Sequence, residues 1–133
     1  MRISLPIVAI SSPNDDFLTK CNFSKFSQIT DHFLFKVPHY MICPFPRNED
    51  IWISGNIHNG IPWEGDVTHL LVKMLSCLHS RTNKVVFLDV GANIGSHTIP
   101  IAALGYHVWA VEPMQETFMK VTQKAIICHD GQC

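Results

Sequence analysis

The sequence predicts an α/β fold in which helices wind around a parallel sheet. Two observations lead to this class. Helix-like and strand-like segments alternate from residue 84 onward, after an amphipathic helix. A continuous apolar run also ends in a glycine-bounded loop, as buried strands of parallel sheets do. The chain has 133 residues, 47% of them hydrophobic and 16% charged, which suits one small globular domain.

Residues 1–46 are predicted to form a small, β-rich and irregular N-terminal extension. The polar stretch 11–30 indicates a loop, and the aromatic and β-branched stretch 32–43 suggests two short strands around a turn. Residues 51–54 suggest another short extended piece. We assign residues 47–133 to the main α/β unit, which we expect to be incomplete as a domain.

The clearest helix signal begins near Asp66, a suitable N-cap. Apolar residues then follow with the spacing of a single helical stripe, which we expect to pack into the core. The stripe consists of Val67, Leu70, Leu71, Met74, Leu75 and Leu78.

Two strands and two helices are predicted after this helix. The run 84–90 is expected to be a strand buried on both faces, and 107–111, with Trp109, a second buried strand. A helix is expected from about 95 to 104, with a distortion at Pro100 and Gly105 as its C′ residue. A second helix is expected from Met114 to about Cys128.

The chemistry is concentrated where these two predicted strands end. Gly91 allows a sharp turn after the first strand, and Gly95 allows the next helix to begin close to the sheet. Asp89 lies near the tip of the first strand, and Glu112 follows the second. Ligands of open α/β sheets bind at the carboxyl ends of the strands. The two oxygens of Glu112 can accept hydrogen bonds from both hydroxyls of a ribose.

A dinucleotide-binding oxidoreductase is the nearest alternative, and the loop argues against it. Its fingerprint is G-x-G-x-x-G, whereas this chain has Asn93 at the middle glycine and Ser96 where the third glycine would have to follow. The carboxylate of Asp89 would also repel a diphosphate. The negative charge of this carboxylate suits a nucleoside that carries a positive centre and an ammonium group.

At these residues the sequence resembles the FkbM-type methyltransferases, a branch of the class I S-adenosylmethionine-dependent superfamily. The resemblance is carried by Phe87–Thr98 (FLDVGANIGSHT), by Ala110–Pro113 (AVEP) and by a lead-in, Asp50–Ser54 (DIWIS) with Gly60, Trp63 and Glu64. It covers roughly residues 45–127. It implies a partial doubly wound, Rossmann-like class I methyltransferase fold.

The resemblance also implies S-adenosylmethionine as cofactor and a role for each matching position. Asp89 would hold the methionine ammonium, and Glu112 the ribose hydroxyls. The methionine and ribose would be lined by Gly91, Ala92, Asn93 and Gly95. Glu64 is either a further cofactor contact or an acid that favours the start of a helix. The methyl acceptor would be a small molecule, a glycan or a lipid, with oxygen or nitrogen as nucleophile. No catalytic residue can be carried over.

A second interpretation is a catalytically inactive, truncated form or an interaction fragment. We expect the chain alone to be inactive, to bind the cofactor weakly or not at all, and to self-associate through an open sheet edge.

The net charge of -1 gives no reason to expect nucleic acid as a partner, and the histidine and cysteine spacings indicate no metal site. Five cysteines leave at least one thiol free or paired with another chain, which slightly favours the cytoplasm; no signal peptide or membrane span is predicted.

Overall fold

The computed structural model describes residues 27–29, 40–82, 84–123 and 126–127, and these residues form an α/β structure. The elements are β1 (Ser27–Ile29), β2 (Tyr40–Ile42), α1 (Ile53–His58), α2 (Gly65–Thr82), β3 (Val86–Val90), α3 (Thr98–Ala103), β4 (His107–Val111), α4 (Gln115–Gln123) and β5 (Ile126–Ile127). They make a three-stranded sheet of order β1-β2-β5 and a two-stranded sheet of β3 and β4.

The two-stranded sheet is parallel, as the alternation of strands and helices predicts. Asp89 of β3 lies opposite Ala110 of β4, and Val90 lies opposite Val111. The strands therefore end level with each other, and the residues that follow both strands begin at the same edge of the sheet. This register brings the two predicted parts of the site together.

One face of the parallel sheet is covered and the other is open. Val108 and Ala110 of β4 are buried beneath the helices, where Val108 joins Val72, Leu75, Ile101 and Ala102 in one core cluster. The opposite face exposes large apolar side chains, namely Val86, Leu88, Val90, Trp109 and Val111. The prediction that both strands are buried on two faces is wrong, because the described helices pack on one face only.

The long helix α2 confirms the predicted helix, but it begins at Gly65, so Asp66 lies in its first turn and is not the N-cap. Its buried side also differs from the predicted stripe. The helix buries Thr68, Val72 and Leu75 and partly buries Leu71. The outer stripe residues are exposed; these are Val67, Leu70, Met74 and Leu78. The side of α2 that packs against α3 and β4 is narrower than the apolar side of the helix. The spacing of apolar residues alone therefore overestimates how many of them are buried.

Residues 51–54 are predicted to be extended, but in the structure they turn into α1. Asp50 causes this, because its Oδ1 accepts hydrogen bonds from the amides of Trp52 and Ile53 (3.2 and 3.1 Å) and its Oδ2 from that of Ser54 (2.8 Å). Burial opposes the charge of Asp50, yet the hydrogen bonds from Ser54, Ile53 and Trp52 outweigh it and lower the pKa of Asp50 below 3.8. A carboxylate that binds the first amides of a helix stabilises its start.

The helix after β3 begins three residues later than predicted. α3 starts at Thr98, so Pro100 falls in its first turn, where the missing amide hydrogen breaks no helical hydrogen bond. Gly105 follows the helix with a φ of 90°, and its amide donates to the carbonyl of Ala102 at 2.9 Å. The predicted C′ glycine is thus confirmed.

The last predicted helix is shorter than expected, because α4 ends at Gln123 and Ile126–Ile127 form a strand. This strand, β5, pairs antiparallel with β2, opposite Tyr40 and Met41. Residues 27–29, predicted as loop, pair with the other edge of β2. The first of the two strands predicted in 32–43 lies outside the described residues, and so does the predicted helix end at Cys128.

A second core cluster joins β2 to the loop of the parallel sheet. It consists of Tyr40, Ile42, Ile57, Ile94, Ile99 and Ala103. Burial of the Tyr40 hydroxyl raises its pKa well above the ordinary value of 10.0. Because Ile94 and Ile99 flank Gly95, this cluster fixes the loop from below.

Cys43 is disulfide-bonded, whereas Cys77 is a free, exposed thiol, which agrees with the odd cysteine count. Disulfides are typical of oxidising compartments. The disulfide of Cys43 therefore does not support the reducing compartment that the odd number of cysteines favours. No described helix has both the length and the apolar character needed to cross a membrane. In the same part of the chain, no group of three or more histidine, cysteine or acidic side chains is arranged to hold a metal ion.

Candidate functional site

The candidate site is built on the loop Gly91–Gly95, which leaves β3 and turns back toward α3. Its first two amides, of Gly91 and Ala92, both donate to the carbonyl of Val111 at 2.8 and 3.2 Å. These bonds extend the pairing of the two strands by one step. They hold the loop at the tip of β4 rather than above the open face.

Backbone conformations that favour glycine recur along this loop. Gly91 has a φ of 82° and Gly95 a φ of 90°, and Asn93 adopts 51° without being glycine. Asn93 is one of the residues that tolerates this region, and its Oδ1 accepts the next amide, that of Ile94, at 2.7 Å. The loop therefore combines two permissive glycines with one residue held in the left-handed region by its own side chain.

The carboxylate of Glu112 bridges the two strand tips. Its Oε2 accepts a hydrogen bond from the amide of Asn93 at 2.7 Å, and its Oε1 accepts one from the amide of Met114 at 2.9 Å. The side chain is half-buried. Each carboxylate oxygen has two lone pairs, so each keeps one acceptor position for a further donor. Glu112 is thus oriented by the loop and still able to receive two hydroxyl groups.

Asp89 lies below the loop, on the helix-covered side of the sheet. Its Oδ2 accepts a hydrogen bond of 2.5 Å from the hydroxyl of Thr98, which is fully buried at the start of α3. This short, charge-assisted bond fixes the Asp89 side chain against the helix that follows the loop. Thr98 is therefore part of the support of the site.

Glu64 reaches the same region from the lead-in segment, across 33 residues of sequence. Its Oε2 lies 3.3 Å from Nε2 of His97, and its side chain is 48% exposed. Glu64 has a φ of 48°, an uncommon conformation for a residue with a Cβ. Its carbonyl accepts the amide of Thr68 at 3.0 Å, which ties this turn to α2.

All the predicted site residues are therefore placed on one end of the parallel sheet or in direct contact with the residues there. No role was predicted for Thr68, His97 or Thr98, whose side chains hold Glu64 and Asp89 in place. His97 and Thr98 do follow the glycine loop directly. Thr68 gives no such signal, because only the fold brings it to His97.

A separate groove of about 310 Å³ lies beside α1 and does not include the glycine loop. It is lined by Arg47, Ile51, Trp52, Gly55, Asn56 and Asn59. Arg47 donates to Oδ1 of Asn59 at 2.6 Å, so part of its hydrogen-bonding capacity is used within the groove wall. The groove is distinct from the strand tips that carry the candidate site.

In comparisons with known proteins, no family model, no curated protein and no solved structure matches this chain. The function is therefore argued from the geometry of the strand tips and from the sequence motif that they carry.

Proposed function

We propose that the described residues form the cofactor-binding part of an S-adenosylmethionine-dependent methyltransferase of the FkbM type, with a Rossmann-like class I fold. The observation that carries the proposal is the contact between Glu112 and the loop, 2.7 Å from Oε2 to the amide of Asn93. It unites a strand-end acid and a glycine turn at one edge of a parallel sheet, which is where nucleoside ligands of open α/β sheets bind.

The residues present suit such a ligand. A Cβ added at Gly91 would meet no atom within 4 Å, so the loop leaves open space at that point. Glu112 keeps an acceptor position on each oxygen for the ribose hydroxyls, and Asp89 supplies negative charge below the loop for the methionine ammonium. Gly91, Ala92, Asn93 and Gly95 would line the methionine and ribose.

When bound, S-adenosylmethionine supplies an electrophilic methyl group for an oxygen or nitrogen nucleophile. The contribution of these residues is to bind and orient, and positioning of this kind accounts for much of the catalysis in group transfer. The acceptor would be a small molecule, a glycan or a lipid. No described side chain is assigned as a catalytic base.

Binding selectivity tests the proposal. Because Gly91 is exposed and Glu112 is only half-buried, we expect the full chain to bind S-adenosylhomocysteine with a dissociation constant above about 100 µM. Titration followed by amide chemical shifts measures affinities in this range. NADH should bind at least about tenfold more weakly, since Asp89 repels its diphosphate. If NADH competes as well as S-adenosylhomocysteine does, a dinucleotide-binding protein would be favoured instead. Micromolar binding of S-adenosylhomocysteine by a folded monomer would contradict the expected weak site.

The open face of the parallel sheet favours a second candidate, an interaction module without catalytic activity. We propose that a second copy of the chain covers this face or its free strand edge. The face exposes Leu88 (56%) and Trp109 (53%) with three valines, and it bears no acidic or basic side chain other than His107. Contiguous apolar surfaces of this kind are uncommon on monomers.

Sedimentation velocity over a range of concentrations tests this candidate. We expect concentration-dependent association of the full chain, weakened about tenfold by Leu88→Lys because a charge would be buried at the contact. Ile61→Lys is the matched control, since Ile61 is also exposed (44%) but lies in the lead-in loop. A chain that stays monomeric at all concentrations, or equal effects of both substitutions, would exclude association through the sheet face.

A further inference from the structure

The imidazole of His97 bridges two segments that are far apart in sequence. Its Nδ1 lies 2.7 Å from Oγ1 of Thr68 in α2, and its Nε2 lies 3.3 Å from Oε2 of Glu64 in the lead-in turn. Thr68 is 1% exposed, so one end of the bridge is anchored in the protein interior. The other end reaches a carboxylate that is 48% exposed.

The two contacts fix the hydrogen positions on the neutral ring. The ionised carboxylate of Glu64 only accepts hydrogen bonds, so Nε2 of His97 must carry the hydrogen. Nδ1 is then an acceptor, and the single hydrogen of the Thr68 hydroxyl points to it at 2.7 Å and not to the more distant carbonyl of Glu64 at 3.4 Å. Both ring nitrogens are occupied by protein groups, and the ring is therefore not available as a base for a substrate.

We propose that His97, two residues after Gly95, is a positioning residue that holds the Glu64 carboxylate, and that this carboxylate shares the cationic amino-acid end of the ligand with Asp89. This inference rests on the proposed function. Two non-glycine residues of the described chain have a positive φ, Glu64 and Asn93, and both lie at this site. Uncommon backbone conformations cluster at functional sites, and the bridge ties the carboxylate of Glu64 to His97, which follows the loop.

Titration of the full chain with two ligands tests the role of the bridge. S-adenosylhomocysteine carries the ammonium group, whereas 5′-methylthioadenosine has the same nucleoside and thioether without it. We expect His97→Asn to weaken S-adenosylhomocysteine about five- to tenfold, because Asn can replace Nδ1 toward Thr68 but does not reach Glu64. Glu64→Gln should have a similar effect, and neither should change 5′-methylthioadenosine by more than about twofold.

His97→Gln is the conservative control, since its terminal amide can occupy the place of Nε2 and donate to Glu64. We expect it to retain nearly the affinity of the unsubstituted chain. The inference is overturned if His97→Asn binds S-adenosylhomocysteine normally, if it weakens both ligands equally, or if His97→Gln is as weak as His97→Asn.

A measurement without ligand separates the bridge from the proposed function. Long-range ¹H–¹⁵N correlation spectra of the ring should show the Nε2–H tautomer, and Glu64→Ala should remove that preference. A ring with its hydrogen on Nδ1 would contradict the bridge. If the unsubstituted chain bound neither ligand, the proposed function would fail and the ligand role of Glu64 with it, while the spectra would still decide whether the contact exists.

Discussion

Gly95→Ala is expected to destabilise the chain by about 3 kcal/mol, the largest effect we predict for a single added carbon. An alanine at a φ of 90° carries a backbone cost of roughly 1–2 kcal/mol. The new Cβ would also lie 2.8 Å from Cδ1 of Ile99 and 3.4 Å from Cγ1 of Val121. Ile99 is 1% exposed and cannot move into solvent, so overpacking adds roughly 1–3 kcal/mol. Urea denaturation measures the change.

Gly105→Ala is the matched control, because Gly105 has the same φ of 90° but a Cβ there would meet no atom within 4 Å. It should lose only the backbone contribution, about 1 kcal/mol. The difference between the two variants isolates the packing of the loop against α3 and α4. Equal losses would mean that the loop is not packed as described. The stability of a small domain is roughly 5–15 kcal/mol, so the Gly95 variant should be visibly less folded on warming.

Glu112→Ala is expected to have the second largest effect, on both stability and ligand binding. Removal of the carboxylate leaves the part-buried amide of Asn93 without its acceptor, which costs about 1–3 kcal/mol, whereas water can replace it at the exposed amide of Met114. It also removes the proposed ribose contacts, so we expect the affinity for S-adenosylhomocysteine to fall at least about tenfold. Denaturation and ligand titration on the same sample measure both quantities.

Glu116→Ala provides the control for charge, because Glu116 is an exposed acid in the first turn of α4 and its loss changes the net charge equally. It should lose at most about 1 kcal/mol from the interaction with the helix dipole and none of the ligand affinity. If Glu112→Ala bound S-adenosylhomocysteine as well as Glu116→Ala does, the assignment of Glu112 to the ribose would be wrong.

The sequence was sufficient to predict the core of the fold from α2 to β4. The strand at 107–111, the C′ glycine at 105 and the parallel pairing follow from local patterns that tertiary structure did not override. The turn into α1 was missed, because it depends on the three backbone amides that Asp50 binds and not on the β-branched character of Ile51 and Ile53. Local hydrogen bonding outweighed residue preference there.

Burial was predicted less well than secondary structure. Apolar periodicity identifies which residues share a face, but it does not say whether another element covers that face. Leu70 and Met74 share the apolar side of α2 and are more than half exposed, as is Trp109 on the open face of the sheet. Whether another element covers an apolar face depends on long-range packing, and neither the apolar periodicity nor the composition of a segment carries that information.

The candidate site could be predicted where it is contiguous in sequence, in the loop Gly91–Gly95 and at Glu112. The supporting contacts of His97 could not, because they join residues separated by 29 and 33 positions. Thr68 has no motif of its own, and its role follows only from the proximity of α2 to His97. Motifs therefore identified the groups that would touch a ligand, while the fold identified those that hold them.

The tips of β3 and β4 are proposed to bind one S-adenosyl nucleoside between them, and amide chemical-shift mapping examines this residue by residue. On addition of S-adenosylhomocysteine to the full chain, the amides of Gly91, Asn93 and Met114 should shift together along one binding curve. The amides of Val86 and His107, at the opposite ends of the same strands, should stay in place. Shifts confined to one strand tip, or centred on the groove beside α1, would contradict the account.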